Sequence, residues 1–303
     1  MDRVLVVGAG ISGAACARAV RAAGLDVTVV ERGRAVGGRM ASPHLHGRRV
    51  DIGAAYFTVT GDGFAALVAD WRARGLAHEW TDTLGVFAPD GLTSTSGTCR
   101  FGAPGGLRSL ARDLHTEVSL GHELREFPDG FDVTVLAMPD PQAARLVGDA
   151  IDWVEYDPVI AVVAGFAQRT WQLDAAFVNE HPAVTLVADD GSRRADGAPV
   201  LVIHTTPQLA RAHLDDPDGA VPPAVDATRE LLRIDAAPQW TYAHRWRFAK
   251  PAATHGDAPY WFDGPLGVCG DSWCPNGAPR VEAAWLSGHR LGLEIAARLG
   301  SRM

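Results

Sequence analysis

The sequence predicts an α/β (α+β) fold in which both ends of the chain build one domain and a mixed-sheet domain is inserted between them. Three observations lead to this prediction. Residues 3–40 contain an apolar strand, a glycine-rich turn and a helix, and a strand, loop and helix return between Gly267 and Gly292. Between about residues 151 and 263, strand-like pieces are joined by Pro, Gly and Asp loops.

Size, charge and composition narrow the class of protein. The chain has 303 residues, 47% of them hydrophobic, which suits one or two globular domains. Its net charge of -8 argues against a nucleic-acid partner. No apolar run approaches the roughly 18 residues of a membrane span, and the first strand starts at Arg3. We therefore expect a cytoplasmic protein with no membrane partner, and the four unpatterned cysteines predict neither disulfides nor a metal site.

The opening strand leads into a glycine turn that is typical of dinucleotide sites. Arg3 to Val7 is apolar enough for a strand buried on both faces of a parallel sheet. Gly8, Gly10 and Gly13 then have GxGxxG spacing, and a helix is expected from Ser12 to Ala23. In such a turn the helix N-terminus faces a pyrophosphate. The pattern predicts a Rossmann-like nucleotide site.

The next strand ends in an acidic residue. Val27 to Val30 reads as a strand, and Glu31 follows about 20 residues after the glycines, where a ribose ligand is expected. A carboxylate favours two free ribose hydroxyls over a 2′-phosphate. FAD and NAD share that feature, so both remain open at this point.

The motif "ERGRAVGGRM" separates the two cofactors by resemblance. Gly37, Gly38 and Arg39 resemble the GGR of the flavin amine oxidase superfamily, in which backbone amides and an arginine lie on the FAD pyrophosphate. The alternative is a surface turn with a solvated arginine. The resemblance implies FAD.

A second segment resembles the superfamily's return to the cofactor. In "GVCGDSWCPNGAPRVEAAWLSGHRLG" a short strand ends at Gly270 and Asp271, and Pro279 opens a helix. The resemblance implies that Asp271 contacts the ribityl or phosphate region. It also implies that the helix beginning near Arg280 and Val281 directs its N-terminus at the flavin N1 and C2 carbonyl.

Four further segments resemble the renalase family in order along the chain. They are "DIGAAYFT" (51–58), "FGAPGGLRSLARDL" (101–114), "LVIHTTPQLARAH" (201–213) and "RWRFA" (245–249). In that family the first segment lies along the flavin. This chain departs from the family at Ala55, where glutamine is usual, which leaves the identity of the substrate open.

Motif and resemblance together imply a set of cofactor-binding residues. Val118 to Leu124 is expected to be a strand that brings backbone groups to the adenine. The full set is Gly8, Gly10, Ile11, Ser12, Gly13, Glu31, Arg32, Gly38, Arg39, Ala54, Ala55, Tyr56, Leu124, Gly270, Asp271, Arg280 and Val281.

Candidate catalytic residues are fewer and each has a structural alternative. His204 lies in an apolar strand, where it is either a proton carrier or a core histidine. Tyr56, Trp246 and Trp273 suit contact with a flat ring, although most aromatic residues belong to the core. Lys250, the only lysine, is the one candidate for the lysine that many amine oxidases hold near flavin N5.

The coarse pattern of elements suggests the domain limits. A helix is expected over Gly61 to Gly75, with Asp62 as its cap and with a buried face formed by Phe64, Leu67, Val68 and Trp71. A buried strand is expected over Phe131 to Met138. We expect a FAD-binding domain from residues 1–75, 100–150 and 264–303, and a substrate domain from 76–99 and 151–263. Its expected elements are strands at 159–166, 184–187, 200–204 and 240–248 and a helix at 225–232.

The renalase resemblance implies an activity. Members of that family oxidise 2- or 6-dihydro isomers of NAD(P)H, and flavin N5 takes the hydride before O2 is reduced to H2O2. Flavin oxidation of a small amine is the main alternative. A flavin hydroxylase is disfavoured because "GDSWCP" lacks the Ala-Ala-His usual after Gly-Asp. A non-enzymatic flavin-binding protein and the oligomeric state stay open.

Overall fold

The computed structural model describes residues 2–275 and 278–300. The strands are β1 (Arg3–Val7), β2 (Asp26–Glu31), β3 (His44–Leu45), β4 (Arg48–Arg49), β5 (His78–Ala88), β6 (Gly91–Gly102), β7 (Ser119–Leu120), β8 (Val133–Leu136), β9 (Tyr156–Gly165), β10 (Ala175–Val178), β11 (Val184–Asp189), β12 (Val200–Thr205), β13 (Trp240–Pro251), β14 (Trp261–Asp263) and β15 (Leu266–Val268). The α-helices are α1 (Ile11–Ala22), α2 (Asp62–Ala73), α3 (Leu107–Leu114), α4 (Asp140–Val147), α5 (Asp190–Arg194), α6 (Pro207–Ala212), α7 (Val221–Leu232) and α8 (Val281–Gly300).

A mainly parallel sheet joins the two ends of the chain. Its strand order is β14-β15-β8-β1-β2-β7. β1 pairs in parallel with β2 and β8, and β15 pairs in parallel with β8. β1 is buried from Val4 to Val7, as its apolar sequence predicts. The predicted α/β fold with a Rossmann-like, discontinuous nucleotide domain is confirmed.

Helices α1 and α8 cross on one face of this sheet at small residues. A Cβ atom on Gly288 would lie 1.9 Å from the carbonyl oxygen of Ser12, and one on Gly292 would lie 2.6 Å from that of Cys16. No larger residue fits at either position without moving a helix backbone. This close approach ties the C-terminal helix to the helix that follows the glycine turn.

Helix α2 follows the predicted pattern except at its start. Phe64, Leu67, Val68 and Trp71 are buried, as predicted. Asp62 is not the cap. Gly61 occupies the N-cap position, and no side chain there accepts a hydrogen bond from the first turn. The helix start is held by a distant residue instead.

That residue is Glu282, in the first turn of α8. Its carboxylate accepts hydrogen bonds from the backbone amides of Thr60 and Gly61, the latter at 2.7 Å, and from the Thr60 hydroxyl at 2.7 Å. Glu282 therefore connects α8 to the start of α2.

The second sheet is mostly antiparallel, with the order β13-β9-β12-β11-β10-β5-β6. Within this sheet, β10 and β5 are the one parallel pair among the described strands, and the other pairs are antiparallel. The strands predicted at 159–166, 184–187, 200–204 and 240–248 are all present as β9, β11, β12 and β13. The long hairpin of β5 and β6 closes one edge of the sheet, and β13 forms the other edge.

Two predicted strands are shorter in the structure. The strand expected from Val118 to Leu124 is only Ser119–Leu120, because its pairing with β2 covers two residues. The strand expected from Phe131 to Met138 is Val133–Leu136. Within residues 2–275 and 278–300, no helix has the length and apolarity needed to cross a membrane.

Candidate cofactor and active site

Two of the three glycines in the turn are required by packing. Gly8 has φ +112°, and a Cβ atom there would lie 2.3 Å from the carbonyl oxygen of Ala137 in the neighbouring β8 loop. A Cβ atom on Gly13 would lie 2.0 Å from the carbonyl oxygen of Gly8. These glycines let α1 approach the sheet, as the motif predicts.

The third glycine faces open space. Gly10 is the N-cap of α1 in an extended conformation, and a Cβ atom there would meet nothing within 4 Å. The nearest atom to a Cβ on Gly38 would be the Gly10 Cα, at 3.5 Å. No side chain caps α1, so the first-turn amides at Ile11 and Ser12 are available to an anion. The residues present therefore fit the pyrophosphate of FAD.

Glu31, which the sequence predicts as a ribose ligand, also binds the backbone of the glycine turn. Its carboxylate accepts hydrogen bonds from the backbone amides of Ala9, at 2.9 Å, and Gly33, at 2.7 Å. Glu31 therefore also holds the glycine turn against β2. A carboxylate has about four acceptor positions, so ribose hydroxyls can still bind it. Arg32, beside it, is exposed.

Arg39 and Asp271, both expected to contact FAD, form a bidentate ion pair with each other. The two guanidinium nitrogens donate to the two carboxylate oxygens at 2.7 and 2.6 Å. Arg39 also donates to the carbonyl oxygen of Ala249 at 3.1 Å, and the Tyr156 hydroxyl donates to Asp271 at 3.2 Å. The pair thus joins the GGR turn, the C-terminal loop and the inserted sheet at one point.

Tyr156 was missed by sequence reasoning. It lies at the start of β9, outside every motif, and the Arg39 guanidinium is 5.5 Å from the centre of its ring. Burial, and then the nearby Asp271 carboxylate, raise the pKa of the Tyr156 hydroxyl well above its usual value. Tyr156 stays protonated and acts as a hydrogen-bond donor to Asp271.

Side chains from α5 and β13 hold the backbone of residues 51–55, the segment expected to lie along the flavin. The Trp246 indole nitrogen donates to the carbonyl oxygen of Ile52 at 2.7 Å. Arg193 donates to the carbonyl oxygens of Asp51, at 3.1 Å, and Ala55, at 2.6 Å. In the structure Trp246 therefore acts on this segment through its indole N–H.

Arg193 belongs to a buried cluster of charged side chains contributed by α5, by β4 and by Asp51, which follows β4. It pairs with Asp190 and lies 3.8 Å from Asp51, and all three side chains are at most 1% exposed. Arg194 pairs with Asp51 at 3.1 Å, and Arg48 pairs with Asp190 at 2.5 Å. Burial alone would raise the pKa of Asp190, but these arginines hold it below its usual value. The aspartate and arginine charges of this cluster neutralise one another, so removing one of them would leave another buried charge without a partner.

Asp51 also fixes the start of α3. Its carboxylate accepts a hydrogen bond from the Leu107 amide at 2.9 Å and one from the Ser42 hydroxyl. A Cβ atom on Gly106 would lie 2.6 Å from Ser42, so the glycine-rich turn is packed against this point. The segments "DIGAAYFT" and "FGAPGGLRSLARDL" therefore meet at Asp51.

His204 lies beside the same backbone segment. It contacts the Gly53 backbone, and burial, followed by the Arg193 charge, lowers its pKa to about 4. His204 is therefore neutral at pH 7, which leaves it able to accept or donate a hydrogen bond but not to carry a positive charge there.

This low pKa makes protein stability depend on pH. The unfolded state binds a proton near pH 6.5 and the folded state only near pH 4, so unfolding becomes easier as pH falls through that window. The wild type should therefore lose about 3 kcal/mol of unfolding free energy between these pH values, and His204→Gln should abolish this loss. Urea unfolding at pH 7.5 and 4.5 measures it.

The matched control is His122→Gln, which removes an exposed histidine. It should leave the difference between the two pH values as in the wild type. Equal differences for His204→Gln and the wild type would contradict the assignment of a neutral His204.

Residues 54–56 of the segment 51–58 differ in their exposure to solvent. Ala55 is buried against Leu84, Ala175, Leu186 and Ala188, whereas Ala54 and Tyr56 are half-buried. Tyr56 lies 6.3 Å from the Trp80 ring. The position at which the family usually has glutamine is thus packed with small side chains in this chain.

Trp273 and Leu124 lie in the apolar cluster around β8, with Trp273 only 4% exposed. The Trp273 ring stacks on His255 at 3.6 Å. His255 and the Ser272 hydroxyl both contact the buried carboxylate of Asp140. Trp273 is therefore packed inside this group, which sequence reasoning did not predict.

Helix α8 begins at Val281, close to the predicted position. The Arg280 guanidinium lies 3.5 Å from the Thr58 hydroxyl, which places it at the end of the segment "DIGAAYFT". The Gly270 amide donates to Ser287 at 3.1 Å, so the loop before α8 is held by the helix itself.

Comparison with known proteins finds one similarity along most of the chain and one confined to its first part. The profile of an NAD(P)-binding Rossmann-like domain matches residues 6–74. Renalase of Mus musculus is 25% identical over 309 residues, covering 86% of this chain and 88% of that protein. This chain is therefore similar to renalase along most of its length.

Other relatives are similar over less of the chain or in fold alone. Polyamine oxidase 1 of Oryza sativa is 44% identical over 90 residues, which cover 26% of this chain and 18% of that protein. A proposed protoporphyrinogen oxidase from Exiguobacterium has a TM-score of 0.78 at 15% identity, over 98% of this chain and 99% of that one. Cyclohexylamine oxidase from Brevibacterium oxydans has a TM-score of 0.74 at 14% identity, over 99% of each chain.

The similarity to renalase, together with the Rossmann-like domain and a fold shared with amine oxidases, supports FAD as the cofactor of this protein. The same similarity supports its classification as an FAD-dependent oxidoreductase.

Proposed function

We propose that this protein is an oxidase that acts on 2- or 6-dihydro isomers of NAD(P)H and uses O2 as the electron acceptor. The proposal rests on the resemblance to the renalase family in motifs from both halves of the chain and on the renalase relative that covers 86% of it. The balanced reaction converts the isomer, one proton and O2 into NAD(P)⁺ and H2O2.

FAD, when bound, supplies the acceptor for the hydride and the route to O2. The chain would hold its pyrophosphate at Gly10 and Gly38 and its ribose at Glu31. Arg193 and Trp246 fix the backbone of residues 51–55 so that the substrate is held in one orientation. Fixed orientation is what would let C2 or C6 react while C4 stays too distant.

The observation that carries the choice of substrate is the pairing of carboxylates around segment 51–58. Asp51 and Asp190 are paired with arginines, and Asp271 is paired with Arg39. Glu282 is bound to Thr60 and Gly61. The three aspartates are neutralised by arginines, and hydrogen bonds fill the acceptor positions of Glu282, so these acids offer no free carboxylate to a cationic amine. A neutral dihydropyridine ring needs no such partner.

An amine oxidase is the second candidate, and the 44% identity to polyamine oxidase 1 over 90 residues favours it. The two candidates differ in their products. We expect aerobic incubation with a 6-dihydro isomer of NADH to yield one NAD⁺ and one H2O2 for each molecule consumed. Peroxide formed from putrescine together with an aldehyde, and none from the isomer, would replace the proposal with the second candidate.

A further inference from the structure

Two arginines, Arg49 of β4 and Arg108 of α3, meet at one residue without a carboxylate partner. The Arg49 guanidinium donates to the carbonyl oxygen of Ser42 at 3.1 Å, and the Arg108 amide donates to the Ser42 hydroxyl at 3.1 Å. Within residues 2–275 and 278–300, neither arginine forms a salt bridge. Nearby Asp51 is engaged by Arg193 and Arg194 instead.

The Arg108 side chain is packed in place, but not all of its hydrogen-bond donors have an acceptor. A Cβ atom on Gly37 would lie 3.0 Å from the Arg108 Cγ, so the stem packs on the GGR turn. Its Nε atom is buried and has no acceptor. Burial, and then the charges of Arg49 and Arg112, lower the Arg108 pKa. The charges of Arg49 and Arg112 are unfavourable to the Arg108 guanidinium, and a bound anion would offset them.

His244 of β13, the edge strand of the inserted sheet, lies within the influence of the Arg108 charge. Burial, Arg245 and Arg108 lower the pKa of His244 in β13, so His244 is neutral at pH 7. The His244 ring lies 4.4 Å from the Trp246 ring and 6.5 Å from the Tyr242 ring. Aromatic rings beside unpaired guanidinium groups suit a ligand with both flat rings and phosphates.

We propose that Arg49 and Arg108 form a second anion site, which binds a phosphate group of the nucleotide substrate. This inference rests on the proposed function, because dihydronicotinamide dinucleotides carry a pyrophosphate and simple amines carry none. Arg108 packs on Gly37, which is next to Gly38, so the cofactor's own pyrophosphate is the competing occupant that the test must distinguish. Two unpaired cations would also repel a cationic amine.

The test is the binding of ADP-ribose, which has the pyrophosphate but no nicotinamide, to the FAD-loaded protein by calorimetry. We expect Arg49→Gln and Arg108→Gln each to weaken binding about tenfold, the loss typical of one charged hydrogen-bonding group. The matched control is Arg72→Gln, which removes an exposed arginine paired with Glu79 and should leave binding unchanged. Wild-type binding should weaken as salt is raised.

The outcomes separate the sources of phosphate. ADP-ribose binding that is equal in the wild type and both variants would overturn the proposal. So would loss of FAD from Arg108→Gln, because the group held would then be the cofactor's own pyrophosphate. If the protein oxidises only amines while the variants still lose ADP-ribose, the anion site stands and the proposed function fails.

Discussion

Replacing Gly10 by leucine should remove FAD from the protein without unfolding it. Gly10 has φ -76° and ψ -178°, which any residue adopts, and a Cβ atom there meets nothing within 4 Å. A leucine side chain is therefore tolerated by the chain itself. It would fill the space that the pyrophosphate requires, so we expect FAD affinity to fall by more than about a thousandfold. The flavin-to-protein absorbance ratio after gel filtration measures it.

Two other glycines serve as controls. Gly97→Leu adds the same side chain at an exposed site with nothing within 4 Å, and should retain FAD. Gly13→Leu should instead destabilise the protein, because its Cβ atom would lie 2.0 Å from the Gly8 carbonyl oxygen. Full FAD content in Gly10→Leu would place the pyrophosphate elsewhere.

Removing the Arg193 charge should cost about 3–5 kcal/mol of stability, the usual cost of breaking a buried ion pair from one side. Arg193→Met leaves Asp190 and Asp51 with fewer partners and frees the carbonyl oxygens of Asp51 and Ala55. Urea unfolding followed by tryptophan fluorescence measures the loss. Arg193→Lys keeps the charge and should recover part of it.

The matched control is Arg48→Gln, which also removes a partner of Asp190 but makes no contact with residues 51–55 in the hydrogen bonds described. Asp190 keeps Arg193 and Arg194, so the loss should be smaller. FAD affinity should fall for Arg193→Met and stay near the wild-type value for Arg48→Gln. Equal effects of the two changes would contradict a specific role for Arg193 in holding residues 51–55.

Local patterns predicted the nucleotide half of the fold well. The spacing of Gly8, Gly10 and Gly13 depends on contacts between residues close in sequence, and β1, α1 and β2 appear within one residue of their predicted limits. The apolar face of α2 was predicted for the same reason. The return of the chain at β15 and α8 came from resemblance, and the structure places β15 beside β8.

Pairing between distant residues could not be predicted in this way. Arg39 and Asp271 are 232 positions apart, and both were assigned to the cofactor because each lies in its own motif. Glu282 lies in the first turn of α8, yet it holds the start of α2, 221 positions earlier in the chain. Arg193 lies in a five-residue helix with no motif, so only the folded chain shows that it reaches residues 51 and 55.

The hypothesis of dihydronicotinamide oxidation is tested most directly by anaerobic mixing, with flavin absorbance as the readout. We predict that a 6-dihydro isomer of NADH bleaches the FAD-loaded protein within about one second. Ordinary 4-dihydro NADH should react at least about a hundredfold more slowly, a barrier difference of about 3 kcal/mol. Rapid bleaching by putrescine, with none by any dihydronicotinamide, would contradict the account.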